Sequence, residues 1–110
     1  MHLDDYQQLA ARTMNPALGA ERRLMDAAAG LAEEAGEVLG QVRKALYVGH
    51  PLDRERLTRE LGDALWCLAA LATALDVPLD AVAQANLQKL RKRFPDGFDR
   101  DASLRRADGG

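Results

Sequence analysis

Between Leu61 and Leu75 the only charged residue is Asp63. Apolar residues in this run recur at steps of three and four, the period of an α-helix, so beyond Asp63 the helix it forms is apolar on every side, Trp66, Cys67, Leu68 and Leu71 included. A helix that is hydrophobic all round has to be covered all round. With 110 residues available, the rest of the chain is short for that task, because small domains leave much of their surface exposed. The run therefore predicts a central helix that its own chain surrounds only in part, with a homodimer or homotetramer as the remaining cover.

The same spacing dominates elsewhere and no segment alternates as a strand does, so the expected fold is all-α, a four-helix bundle-like domain completed by oligomerisation. The first helix is expected over about Leu3 to Thr13, ending at Asn15-Pro16. The second runs from about Glu21 to Tyr47, with Leu24, Ala28, Leu31, Ala35, Val38, Val42 and Ala45 on one stripe, and stops at Gly49-His50-Pro51. The third starts at Asp53, an N-cap with Arg56 where a capping box wants Glu, and reaches about Leu75. After the turn Asp76-Val77-Pro78 the fourth covers about Leu79 to Phe94, and Pro95-Asp96-Gly97 ends it. One domain over residues 1–98 is expected, and a charged, glycine-ended tail over residues 99–110 is expected to be disordered.

Hydrophobic residues make up 47% of the chain, which supplies a real but small core. A net charge of -2 gives no electrostatic case for nucleic-acid binding. The one cysteine, Cys67, has no disulfide partner and fits a reducing cytoplasm. The start of the chain has neither the basic region nor the apolar stretch of a targeting segment. The longest uncharged run, Ala64 to Leu75, falls short of the roughly 18 residues of a membrane span.

Two acidic signatures stand out within these helices, Glu33-Glu34-Ala35-Gly36-Glu37 and Glu60-Leu61-Gly62-Asp63. On the second helix Glu34 falls at the edge of the apolar stripe and Glu37 one step further round, while Glu33 lies on the far side with Gly36 and Gly40. On the third, Glu60 heads the row Ala64, Cys67, Leu71, and Asp63 heads Cys67, Ala70, Ala74. Carboxylates crowded together out of water raise one another's pKa values, so they stay neutral or take a metal. Oxygen-only ligands point to Mg²⁺, with Mn²⁺ as a substitute, since zinc sites recruit Cys or His. Di-iron bundles add Glu-x-x-His motifs, and neither His2 nor His50 has that spacing. Solvated helix acids remain the plain alternative, although neither signature is flanked on both sides by Lys or Arg four residues away.

Mg²⁺ is commonly held by one or two carboxylates plus substrate phosphates, so this many acids suggests more than one ion and a polyphosphate. The fourth helix offers Asn86, Lys89 and Arg93 on one line, two cations and an amide suited to phosphate oxygens.

Gly30 to Val38, Glu60 to Trp66 and Asn86 to Phe98 together resemble MazG-like nucleotide pyrophosphohydrolases of the all-α NTP pyrophosphatase superfamily, and the likeness covers about residues 3 to 98. The resemblance implies an oligomeric helical bundle and Mg²⁺-dependent hydrolysis of a nucleoside triphosphate between its α and β phosphates, giving a monophosphate and pyrophosphate. It implies Glu34, Glu37, Glu60 and Asp63 as metal ligands, and Glu33 as the residue that orients or deprotonates the attacking water. Asn86, Lys89 and Arg93 are implied as phosphate contacts, in their own or a neighbouring subunit's site. The first helix, Tyr6 to Thr13, resembles the element that helps wall the nucleotide pocket. Two alternatives accompany this reading: a phosphoribosyl-ATP pyrophosphohydrolase of the same superfamily, and a helical interaction module without turnover.

Overall fold

The structure of the chain, a computed structural model, describes residues 1–106. It is all-helical, with α1 (Leu3–Ala11), α2 (Ala20–Arg43) continuing into a π-helical turn (Lys44–Val48), α3 (Arg54–Ala74), α4 (Leu79–Arg93) and α5 (Arg100–Arg105). Two compact units are formed, Met1–Leu79 and a second beginning at Asp80.

In the first unit α3 packs on α2 and on α1. The side chains that α3 buries are small, Cys67, Ala69, Ala70 and Ala72, and the one α2 buries is Ala27. Small residues let helix backbones come close, and at Gly30 an added Cβ would stand 3.0 Å from Cys67 Sγ. Ala10, Ala69, Ala72 and Leu79 form the core cluster, with Tyr6 and Trp66 against it. Four leucines face the other way: Leu61 is 56% exposed, Leu68 44% and Leu75, at the C-cap of α3, 59%, with Leu65 beside them, whereas Leu57 and Leu71 are half-buried. The all-apolar helix is thus covered on its alanine face, and its leucine stripe is left outside by this chain.

Side-chain hydrogen bonds fix how α1 sits. Gln7 Nε2 donates to Thr73 Oγ1 (3.2 Å) and to the Val77 carbonyl (2.9 Å), while Gln7 Oε1 accepts from the Leu79 backbone N–H (2.7 Å). Trp66 Nε1 donates to Thr13 Oγ1 at 2.7 Å, tying α3 to the end of the first helix.

Asp53 caps α3 as its sequence position suggested, accepting from the Arg56 backbone N–H at 3.1 Å. The end of α2 differs from the expected single helix to Tyr47: regular α geometry stops at Arg43, and the next turn widens to π. Gly49 then takes a left-handed conformation (φ 88°), and the Gly49 and His50 N–H groups both return to the Lys44 carbonyl. A side chain at Gly49 would be strained there, which is why glycine closes this turn.

In the second unit the Phe94 and Phe98 rings lie 5.7 Å apart around Gly97, whose φ is 91°. The tail expected to be disordered from residue 99 instead forms α5. Asp99 caps it by accepting from the Ala102 N–H (3.1 Å), and Ala102 is buried. A cap and one buried alanine were enough to order a segment whose charged composition argued against order. The expectation for residues 107–110 lies outside the described residues. Among those described, no single helix is long and apolar enough to cross a membrane.

Candidate metal centre

The crossing of α2 and α3 sets the acidic signatures face to face. Ala27, Gly30 and Glu34 follow one another along the side of α2 that meets α3, so the buried line lies closer to Glu34 than the predicted stripe through Leu24 and Ala28, which are both exposed. Glu34 is half-buried within that face rather than at its edge, and Glu60 is half-buried opposite it, whereas Glu37 and Asp63 are exposed. Glu34, Glu37 and Glu60 each bring one carboxylate oxygen to within 4.8 Å of the others.

Burial and repulsion both act on this trio. Glu34 Oε2 and Glu60 Oε2 are shielded from solvent and have no hydrogen-bond partner among the described residues. Glu37, though exposed, is held above the usual carboxylate range, first by its hydrogen bond with Glu60 and then by the Glu60 charge, some loss of hydration and the Asp63 charge, while the Arg56 guanidinium pulls the other way. Clustered carboxylates with two orphaned oxygens make a donor set suited to a hard divalent cation.

Asp63 stands outside the trio yet acts on Glu37, and it lines a cleft of about 360 Å³ with Asp26, Gly30, Glu34, Trp66 and Cys67. The Cys67 thiol is pushed up in pKa by burial, and further by the charges of Glu34, Asp63, Asp26 and Glu33. Glu33 itself is exposed on α2 and does not join the trio. A methyl group added at Gly36 or Gly40 would meet nothing within 4 Å, so that side of α2 is open in the single chain. Asn86, Lys89 and Arg93 share one face of α4 in the second unit, the first two exposed and Arg93 half-buried.

On the other flank of Glu37 a second cleft, about 370 Å³, is lined by Gly40, Gln41, Lys44, His50, Pro51, Asp53 and Arg56. Sequence reading gave Gln41 and Lys44 no role and treated Arg56 only as a capping position. The spacing that reveals them is Glu37, Gln41, Lys44 at steps of four and three along α2 and into the π-helical turn, and Arg56 one turn before Glu60 on α3.

Two antiparallel acidic signatures whose carboxylates converge at a helix crossing define an all-helical acidic-cluster protein with the donor chemistry for a divalent cation. The chain belongs to the MazG nucleotide pyrophosphohydrolase domain family, whose model matches residues 24–98 and so takes in both acidic signatures and the α4 line. It is also similar to the Gene 37 protein of Mycobacterium phage L5, 41% identical over 101 residues that span 84% of this chain and 89% of that protein. No solved structure matches the chain.

Proposed function

We propose that this protein is a Mg²⁺-dependent nucleoside triphosphate pyrophosphohydrolase that cleaves between the α and β phosphates, releasing a nucleoside monophosphate and pyrophosphate, and that it serves nucleotide pool control or house-cleaning in the cytoplasm. The observation that carries the reading is the Glu34, Glu37, Glu60 cluster with its two orphaned, shielded oxygens, in a chain of the MazG family.

Glu34, Glu37 and Glu60 would hold the ion, with Asp63 as the fourth ligand; when bound, Mg²⁺, or Mn²⁺ in its place, neutralises phosphate charge and lowers the pKa of water. Glu33 is assigned to orient the attacking water or take its proton, a role that suits an exposed acid beside the cluster but outside it. Asn86, Lys89 and Arg93 are assigned to the phosphate chain, where their two cations and one amide can meet its oxygens. The reading includes assembly into a homodimer or homotetramer, supported by the exposed Leu61, Leu65, Leu68 and Leu75 stripe.

The test is incubation with Mg²⁺ and a panel of ribo- and deoxyribonucleoside triphosphates, with products separated by ion exchange. Monophosphate with pyrophosphate is expected; diphosphate with orthophosphate refutes the α,β cleavage. Glu60→Gln is expected to fold normally and lose nearly all turnover.

A further inference from the structure

Glu34 belongs to two neighbourhoods. One is the carboxylate trio with Glu37 and Glu60, and the other is the cleft of about 360 Å³ that it lines with Asp26, Gly30, Asp63, Trp66 and Cys67. The cleft therefore opens beside the place where an ion would hold phosphates, and its volume lies in the range of roughly 300–1,000 Å³ in which small-molecule sites fall. Asp26 stands eight residues before Glu34 on α2, so at 1.5 Å per residue the two lie about 12 Å apart along the helix. A nucleoside monophosphate has a comparable length from its phosphorus to the far edge of its base. Gly30, midway between the two acids, puts no side chain in the way.

The wall of the cleft offers an aromatic surface. Trp66 donates from Nε1 to Thr13 Oγ1 at 2.7 Å, and Thr13 Oγ1 donates to the Ala10 carbonyl at 2.7 Å, so the indole is anchored beside the end of α1. Its nitrogen is thereby committed, and the ring has only its apolar surface left to offer. Bases of every kind stack on such rings, so Trp66 can support a base without choosing it.

Choice falls to Asp26. In the proposed function Glu34 and Asp63 are given to the ion, the Trp66 nitrogen is bonded to Thr13, and the Cys67 thiol, raised in pKa by burial, is only a weak donor. Among the described residues lining the cleft, the exposed Asp26 carboxylate is the strong hydrogen-bonding group that remains. A carboxylate accepts through two oxygens and donates nothing. Among the common bases guanine alone carries two donors side by side, N1–H and the 2-amino group, at the spacing of a carboxylate's two oxygens. Adenine and cytosine set an acceptor nitrogen beside their amino group, and uracil and thymine flank one N–H with two carbonyl oxygens. Each of these would turn a lone pair against the carboxylate.

We infer that the cleft seats the nucleoside with its base against Trp66, and that Asp26 selects guanine by accepting from N1–H and the 2-amino group. This deepens the proposed function and rests on it for the placement of the phosphates.

The test is kcat/KM of the full chain at saturating Mg²⁺ for the triphosphates of deoxyguanosine, deoxyinosine, deoxyadenosine and deoxycytidine. Guanine is expected to lead adenine and cytosine by about tenfold, the order of discrimination a bidentate pair gives. Hypoxanthine, which keeps N1–H and lacks the amino group, is expected to fall between. Asp26→Asn exchanges one acceptor for a donor, so its amide matches adenine and cytosine and the preference is expected to reverse. Asp26→Ala is expected to level the panel, and because Asp26 is exposed both variants are expected to fold as wild type does. A wild-type protein that turns over the panel without favouring guanine, or an Asp26→Asn variant that still favours it, overturns the inference and leaves the hydrolytic reading in place. If no triphosphate is hydrolysed, calorimetric binding of guanosine and adenosine monophosphates at the same Mg²⁺ decides. A guanine preference that reverses in Asp26→Asn then sustains the role of Asp26 while the hydrolytic reading falls; equal binding, or none, removes both.

Discussion

Glu37 is the residue at which folding and ligand binding conflict most directly. Its carboxyl is held above the usual range first by its hydrogen bond with Glu60 and then by the Glu60 charge. A carboxyl that holds its proton more tightly when folded adds stability below its unfolded pKa, and that contribution is lost as pH rises through the folded value. At neutral pH without metal the group is therefore a liability, which a divalent cation offsets. Saturating Mg²⁺ at a hundredfold its dissociation constant is expected to stabilise the wild-type protein by about 2.7 kcal/mol, with about 4–8 °C in Tm per kcal/mol for a domain of this size. Glu37→Gln is expected to melt no lower than wild type in chelator at pH 7.5, to lose the advantage that wild type gains on acidification, and to gain little from Mg²⁺. Scanning calorimetry at two pH values with and without Mg²⁺ reads all three, and an equal Mg²⁺ shift in both proteins would remove Glu37 from the ligand set.

At the scale of elements, one polar side chain does much of the positioning. Gln7 bonds to Thr73, Val77 and Leu79 at once, joining α1 to the turn between α3 and α4. Gln7→Ala leaves the Leu79 N–H without its acceptor and is expected to cost about 1–3 kcal/mol in urea unfolding, whereas Gln8→Ala, at an exposed neighbour, should stay within about 0.5 kcal/mol. If the two variants unfold alike, Gln7 is not the link. Such a bond spans 72 positions in the chain and has no periodic signature, so it was illegible in the sequence. The helices were legible because their period is local: the Asp53 cap, the breaks at Asn15-Pro16 and Asp76-Val77-Pro78, and the bounds of α3 and α4 all follow from neighbours a few residues apart. The acid trio was legible in part, since spacing placed Glu34, Glu37 and Glu60 on facing sides but could not say that Asp63 would stand apart from the other three. The π turn and α5 were missed because each depends on an arrangement that composition does not record, a backbone returning to Lys44 and an alanine finding cover at residue 102.

In the first unit the fully buried residues are mostly small, and four leucines are left exposed. Alanines fill the space between α1, α2 and α3, while Leu61, Leu65, Leu68 and Leu75, at steps of four, three and seven, make one continuous exposed edge. A second copy presenting the same edge would complete the burial the long apolar helix demands, so the wild-type protein is expected to sediment as a dimer or larger and Leu68→Glu as a monomer. A monomeric wild-type protein at micromolar concentration would rule that out. The alanine interior has another effect, felt at the acid pairs. Gly30 and Cys67 touch where α2 meets α3, and Glu34 and Asp63 each lie one turn from that contact, so its closeness gauges the gap across which the carboxylates reach. A methyl at Gly30 would push its neighbour by a few tenths of an ångström. That is about the difference between magnesium–oxygen distances of about 2.0–2.1 Å and calcium–oxygen distances of about 2.3–2.6 Å. Gly30→Ala should therefore lower the ratio of Mg²⁺ to Ca²⁺ affinity in a competition titration, and an unchanged ratio would break the link: a missing side chain with no ligand of its own would act as the ruler for ionic radius.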